Sequence, residues 1–214
     1  TLNLVANQKY DIIFWAQKAE AYGVEPLTNV DMDIKNHHNS EGGAAYYAIL
    51  NNFKPILNNT PSVVLRRPFA QLNIGTLLNV SYSNDPVRIN TAKVTVSEVA
   101  SEFNRVDMDG TEGVGQNGVV YTTGNESPYS GTVSTIEVGG NDYAYVSMDY
   151  LAVVNNEALV DVTVELNVTD PYDVPSVIKR TITNVPLQMN YRTNIVGNLI
   201  TSEAGFTVTI DESW

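Results

Sequence analysis

The chain contains no cysteine, and only 12 of its 214 residues are basic, against 24 acidic ones. Without cysteine there is no disulfide scaffold, no thiolate nucleophile and no thiolate metal site. The compartment stays open, because a cysteine-free chain is stable at any redox poise. A net charge of −12 leaves no cationic footprint for nucleic acid or anionic lipid, so neither is expected as a partner. Charged residues make up only 17% of the chain, too few for an acidic disordered segment. No apolar run reaches the roughly 18 residues of a membrane span, and none is expected here. The opening Thr1-Leu2-Asn3-Leu4-Val5 has neither an initiating Met nor a basic n-region and h-region. The expectation is a partial or processed chain whose targeting signal lies upstream. A length of 214 residues suits one large domain or two of about 100 residues. Such a chain buries about two-thirds of its unfolded surface, so it needs no staple to fold.

What is present is alternation. Val160, Val162, Val164, Leu166 and Val168 interleave with Asp161, Thr163, Glu165 and Asn167. A period of two puts the apolar set on one sheet face and the polar set on the other. A single wet face marks an antiparallel sheet. Shorter runs repeat the pattern at Ala92, Val94, Val96; at Ala70, Leu72, Ile74; and at Phe206, Val208, Ile210. Tyr10 to Ala16 is more continuously apolar and reads as a central strand. Turn-rich stretches at Gly110–Gly118, Gly124–Gly131, Gly139–Asp142 and Asp170–Asp173 separate the runs, and this spacing predicts a sandwich. One segment reads differently. Tyr46, Ile49, Leu50 and Phe53 fall at i, i+3, i+4 and i+7, with Ser40 as N-cap, Glu41 at the positive end of the dipole and Pro55 as the stop. The spacing predicts one short helix near 43–54. A domain boundary is expected within Asn79–Pro86.

Candidate chemistry is sparse. His37 and His38 are the only histidines, and neighbours on an extended chain point to opposite faces, so a solvated loop is the reading adopted over a metal site. No G-x-S-x-G elbow accompanies them. Asp107-Met108-Asp109-Gly110-Thr111-Glu112 clusters oxygen ligands, yet an EF-hand register would put Arg105 first and Gln116 twelfth, so an acidic surface turn is expected. Asp31-Met32-Asp33 is weaker still. Gly113 to Gly118 lacks the following helix and Lys of a phosphate loop and reads as a hairpin tip. A glycosidase pair cannot be picked from 24 carboxylates without their spacing. A carbohydrate-binding module wants exposed aromatics. Twelve Tyr are available, but only two Trp, one of them Trp15 in a predicted core strand, and sugar binding is left open.

Three stretches carry a resemblance. They are Lys9-Tyr10-Asp11-Ile12-Ile13-Phe14-Trp15-Ala16, Leu65-Arg66-Arg67-Pro68-Phe69-Ala70-Gln71-Leu72-Asn73-Ile74-Gly75, and Asn184 to Leu199, which reads Asn-Val-Pro-Leu-Gln-Met-Asn-Tyr-Arg-Thr-Asn-Ile-Val-Gly-Asn-Leu. In order and spacing they resemble the fimbrillin-like family of Bacteroidales surface proteins, the subunits and tip proteins of type V pili. As scaffold they make sense too: Pro68 lets the chain change sheet, Arg66 or Arg67 pairs with a carboxylate, Asn184–Asn190 turns into the penultimate strand, and Gly197 allows a bulge.

The resemblance implies an all-β protein of two tandem transthyretin-like antiparallel β-sandwich domains, 1–82 and 83–214, with the short helix in the first. It implies a lipoprotein precursor exported to the outer membrane and displayed at the cell surface, serving as pilus stalk, anchor or tip adhesin. No enzyme activity and no cofactor are expected. Family members carry strands ahead of the Lys9–Ala16 equivalent that this chain does not show, and removing a strand opens a groove for β-augmentation. The expected strand-donor face is Phe206, Val208, Ile210 and Trp214, the acceptor lies in the N-terminal domain, and the partners are other pilus subunits or a second copy head-to-tail. Such a contact builds an open filament. The alternative expectations are an ordinary internal strand at 205–211, and a module that binds a glycan or host protein.

Overall fold

The structure is a computed structural model that describes residues 3–18, 21–23, 29–32, 38–56, 60–77, 81–82, 85–111, 119–129, 135–200 and 205–212. The expectations placed on His37, Asp33, Glu112, Gly113–Gly118 and Trp214 lie outside the described residues. The strands are β1 (Tyr10–Gln17), β2 (Asn29–Asp31), β3 (Ala45–Phe53), β4 (Ala70–Leu77), β5 (Ser81–Tyr82), β6 (Asp85–Pro86), β7 (Arg88–Val99) and β8 (Glu102–Asn104). They continue as β9 (Asp109–Thr111), β10 (Val119–Thr122), β11 (Thr135–Val138), β12 (Asn141–Leu151), β13 (Glu157–Thr169), β14 (Pro175–Gln188), β15 (Arg192–Gly197) and β16 (Phe206–Asp211). The fold is all-β, as expected.

Two large sheets form the sandwich. One has the order β10-β7-β13-β14 and the other β11-β12-β4-β15-β16. Alternation made the first legible: Val160, Val162, Val164, Leu166 and Val168 are all buried, as are Ala92, Val94 and Val96 of the neighbouring β7. They share one core with Leu72, Met148 and Ile195 of the five-stranded sheet. Every pairing in both sheets is antiparallel except β4 with β15, which run parallel. Parallel neighbours cannot be joined by a tight hairpin, so the chain travels through the other sheet between them. β4, which precedes the expected boundary at 82/83, is hydrogen-bonded on both edges to strands that follow it. At the expected boundary itself, β5 and β6 form a minimal hairpin.

Several local expectations are corrected. The predicted helix over 43–54 is the strand β3, paired with β1 from Tyr10↔Phe53 to Gln17↔Ala45. Ser40 does cap, its Oγ accepting from the Gly42 N–H at 3.0 Å, but only for the single 3-10 turn Glu41–Gly43. Two adjacent Tyr and Ile49 favour the pleated conformation, and β1 supplies a partner ladder that an isolated helical turn lacks. Asn52 sits at φ 55, where its N–H takes Asp11 Oδ1 at 2.7 Å and the register slips between Tyr10 and Ile12. β1 is not central either: its only sheet partner among the described residues is β3.

Asn184 to Gln188 belong to β14 rather than to a turn, with Asn184 at φ 56 beside the register shift at Val160/Val162. The turn follows, where the Tyr191 N–H donates to the Gln188 carbonyl at 3.1 Å. Gly197 marks no slip in the β15–β16 register. It permits close approach instead: a Cβ there would lie 2.0 Å from the Gly205 carbonyl oxygen. Pro68 behaves as expected, since Arg66 bridges to Tyr47 just before it and Ala70 enters the five-stranded sheet just after. Arg67 lies over the Tyr46 ring, its guanidinium carbon 4.8 Å from the ring centroid. An aromatic cluster ties these outer pieces down. Phe69 and Phe103 meet edge-on at 5.5 Å, with Trp15 about equally distant from both, at 6.2 and 6.1 Å.

Candidate functional site

Three features of the molecule carry polar or edge chemistry, and the sequence reading had named parts of each. The first is a buried tie between the sheets. Asp149 of β12 is fully buried, and its Oδ1 lies 2.6 Å from His38 Nδ1 and accepts from the Tyr121 hydroxyl of β10 at 2.8 Å. Its Oδ2 accepts from Ser147 Oγ at 3.3 Å. His38 is therefore not in a solvated loop, as its side chain is only 7% exposed. With Nδ1 facing a carboxylate, the neutral ring carries its proton there. Burial, then the Asp149 charge beside it, pushes the Tyr121 phenol far up, so it stays a donor. Sequence spacing could not find this group, because 111 residues separate His38 from Asp149.

The second feature is the rim. β16 hydrogen-bonds to β15 alone, and β14 to β13 alone, so among the described residues each large sheet ends in an open strand on the same side. Phe206 packs on the core, but Val208 and Ile210 remain 37% and 40% exposed. Ile210 borders an open groove of about 440 Å³ together with Leu159, Pro186 and Leu187. An edge that leaves apolar side chains half in water is a template for another strand. β1 is the corresponding edge at the other end of the sequence, with Ile13 38% exposed. Of the expected donor face, the structure thus places Phe206, Val208 and Ile210 on one paired strand.

The third feature is a polar pocket of about 380 Å³ on the outer side of the five-stranded sheet. Its base is Gln71, Tyr150 and Asn194, and its walls include Arg67, Arg192, Tyr46 and Tyr145. Glu41, Glu137 and Asp211 add three carboxylates around it. Below it runs a buried amide chain: Arg192 Nε donates to Gln71 Oε1 at 2.8 Å, and Asn73 Nδ2 donates to Asn194 Oδ1 at 2.8 Å. Gln71 Nε2 reaches the Tyr150 hydroxyl at 3.3 Å. Burial, partly offset by the Arg67 charge, pushes the Tyr150 phenol up to about 12. The same cause, burial, raises Tyr145. A carbohydrate-binding module was expected to present exposed aromatics. The tyrosines here line a recess on strands instead, contributed by β3 and β12.

Of the acidic stretch only Asp107 and Met108 lie in the expected turn, where Asn104 Nδ2 donates to Asp107 Oδ2 at 2.7 Å and Asn104 Oδ1 accepts from the Val106 and Asp107 N–H groups, while Asp109–Thr111 form β9. Among the described residues no helix is long and apolar enough to cross a membrane.

Comparison with known proteins adds the following. The whole chain, residues 1–214, matches the family described as "Family of unknown function (DUF6562)". No curated protein matches it by sequence. Among solved structures it is similar to a candidate adhesin of Bacteroides thetaiotaomicron, with 10% identity, TM-score 0.50, and coverage of 99% of this chain and 78% of that one. It is similar to a candidate cell adhesion protein of Bacteroides uniformis, with 11% identity, TM-score 0.50, and coverage of 95% and 73%. A candidate cell adhesion protein of Bacteroides ovatus also matches at 10% identity and TM-score 0.47, covering 94% of this chain. The chain spans 59% of that protein's length. A fimbrial protein of Bacteroides vulgatus is a further neighbour. The first two neighbours, at 10% and 11% identity, show a shared fold.

Proposed function

We propose that this chain, which belongs to the family of unknown function DUF6562, is a non-enzymatic, adhesion-type subunit of the bacterial cell surface that assembles by strand addition. The observation that carries the reading is β16. It is the last described strand, it sits at an open edge, and Val208 and Ile210 on its apolar face are more than one-third exposed. Such a strand has little side-chain burial to lose on leaving β15, and its six-residue ladder is re-formed on any equivalent edge. The edge of β1 that has no partner among the described residues is the proposed acceptor in a neighbouring copy or another pilus subunit. Donor and acceptor are different surfaces, so the contact is head-to-tail and propagates. The Bacteroides candidate adhesins that share the fold, and the fimbrillin-like motifs, support display at the outer membrane as a lipoprotein-derived pilus component. The two-domain, transthyretin-like division expected at 82/83 is part of the same proposal, with β4 crossing that line to pair with β12 and β15.

Deleting residues 205–214 tests the role of the strand. A folded monomer that no longer polymerises supports donation, and a deletion variant that still forms filaments contradicts it. Should the deletion unfold the chain, Val208→Glu with Ile210→Glu keeps the backbone ladder and charges only the exposed face. The proposal expects this pair to stay folded and monomeric by size-exclusion light scattering.

A further inference from the structure

The strand-addition reading does not require the pocket over Gln71 and Asn194, although β16 lends it Asp211, and the chemistry of the pocket specifies a ligand. We infer that it is a binding site for a neutral saccharide, one or two rings in size. Its volume of about 380 Å³ falls within the ordinary range of small-ligand sites, roughly 300–1,000 Å³. Two guanidinium groups face three carboxylates around it, and the whole chain carries −12, so a second anion meets net negative charge. The guanidinium groups in turn disfavour a cation. A polyol fits both signs at once, because each hydroxyl donates to a carboxylate and accepts from an arginine or amide.

The polar groups are held in place before any ligand arrives. Asn194 Oδ1 is occupied by Asn73, which leaves the Asn194 amide hydrogens as the side of that group able to donate. The Nε bond to Gln71 fixes the plane of the Arg192 guanidinium, and stacking on Tyr46 fixes that of Arg67. Gln71 and Asn194 are 3% and 4% exposed, so these are built positions rather than surface chains that happen to meet. Pre-fixed donors bind with little ordering cost. Tyr46 and Tyr145 supply flat, amphipathic faces of the kind that pack against the C–H side of a pyranose ring. Asp211 places one carboxylate on β16 and Arg192 a guanidinium on β15, so the site is complete only while that strand pair is.

The test is a titration, followed by saturation-transfer NMR and calorimetry, of the purified chain. The probes are glucose, galactose, mannose, N-acetylglucosamine and, as the charged comparison, sialic acid. At least one neutral sugar is expected to bind with a dissociation constant in the range of about 1 mM. Glu137→Gln and Arg67→Gln should each weaken it about tenfold, and Tyr145→Phe about threefold, with unchanged unfolding midpoints. Should Arg67→Gln fail to fold, Tyr145→Phe decides, since it removes one hydroxyl from a half-buried ring. Absence of binding by every neutral sugar, binding by sialic acid alone, or full retention in the folded variants each overturns the inference. Running the same titration on the Val208→Glu, Ile210→Glu chain separates the two readings. Sugar binding should persist there, whether or not strand addition proves correct.

Discussion

Strands at the centre of this molecule and strands at its rim differ in the same two respects. β4 and β13 are hydrogen-bonded along both edges. β13 sends Val160, Val162, Val164 and Leu166 into the core, and β4 is buried on both faces along seven of its eight residues. Among the described residues β1 and β16 each have one ladder partner, and their residues are a mixture of half-buried and exposed. Stability is therefore concentrated where pairing and burial coincide, whereas the rim leaves Ile13, Val208 and Ile210 partly in water. Local opening is expected to follow that division.

Substitutions can break or sharpen the contrast. The largest effect is expected at Asp149→Ala, because His38 and Tyr121 lose the buried carboxylate that joins the two sheets. Leaving these two donors buried without their acceptor costs about 1–3 kcal/mol for each, read as a lowered denaturant midpoint. Asn73→Ala comes next. It leaves Asn194 Oδ1 buried without that donor, a loss of about 1–3 kcal/mol in the same measurement.

Alkaline pH should act on the centre as well. The Tyr150 phenol has a folded pKa of about 12, above its ordinary 10.0, chiefly because it is buried. A phenol with a raised folded pKa holds its proton more tightly in the folded state. The associated stability is complete below about pH 10 and is lost as the pH rises toward 12. Tyr22 and Tyr121 shift in the same direction and add to the loss. Denaturant midpoints measured from pH 9 to 12 should fall progressively, and Tyr150→Phe should flatten part of that slope. The smallest effect on stability is expected at the rim. Ile210→Glu, on a side chain already 40% exposed, should change unfolding free energy by no more than about 0.5 kcal/mol.

The central strands were the legible ones. Alternation in β13 and β7 requires only that one face be dry, and the residues say which face that is. The same reasoning went astray on β4, where Gln71 and Asn73 were expected to face water and are instead buried in an amide network. Glu41, Ala44 and Tyr46, from an earlier part of the chain, line the pocket over that face. The helix expected over 43–54 failed for a related reason. Tyr46, Ile49, Leu50 and Phe53 satisfy helical spacing, but the choice was made by a partner strand that spacing does not see. The Asp149 tie and the pocket are assembled from β3, β4, β10, β12 and β15 together, so no local pattern announces them. The strand β16, by contrast, was readable because alternation alone put Phe206, Val208 and Ile210 on one extended segment, although Phe206 packs on the core while Val208 and Ile210 stay exposed.

Hydrogen exchange along β1 tests the central claim most directly, since strand addition should turn the free edge of the acceptor into a paired one. Amides of Tyr10–Gln17 are compared between assembled and monomeric chain, with those of β13 as the internal reference. The account predicts slowed exchange on assembly at the alternate β1 amides that point away from β3, with β13 unchanged. Assembled protein whose β1 amides exchange as fast as in the monomer would contradict it.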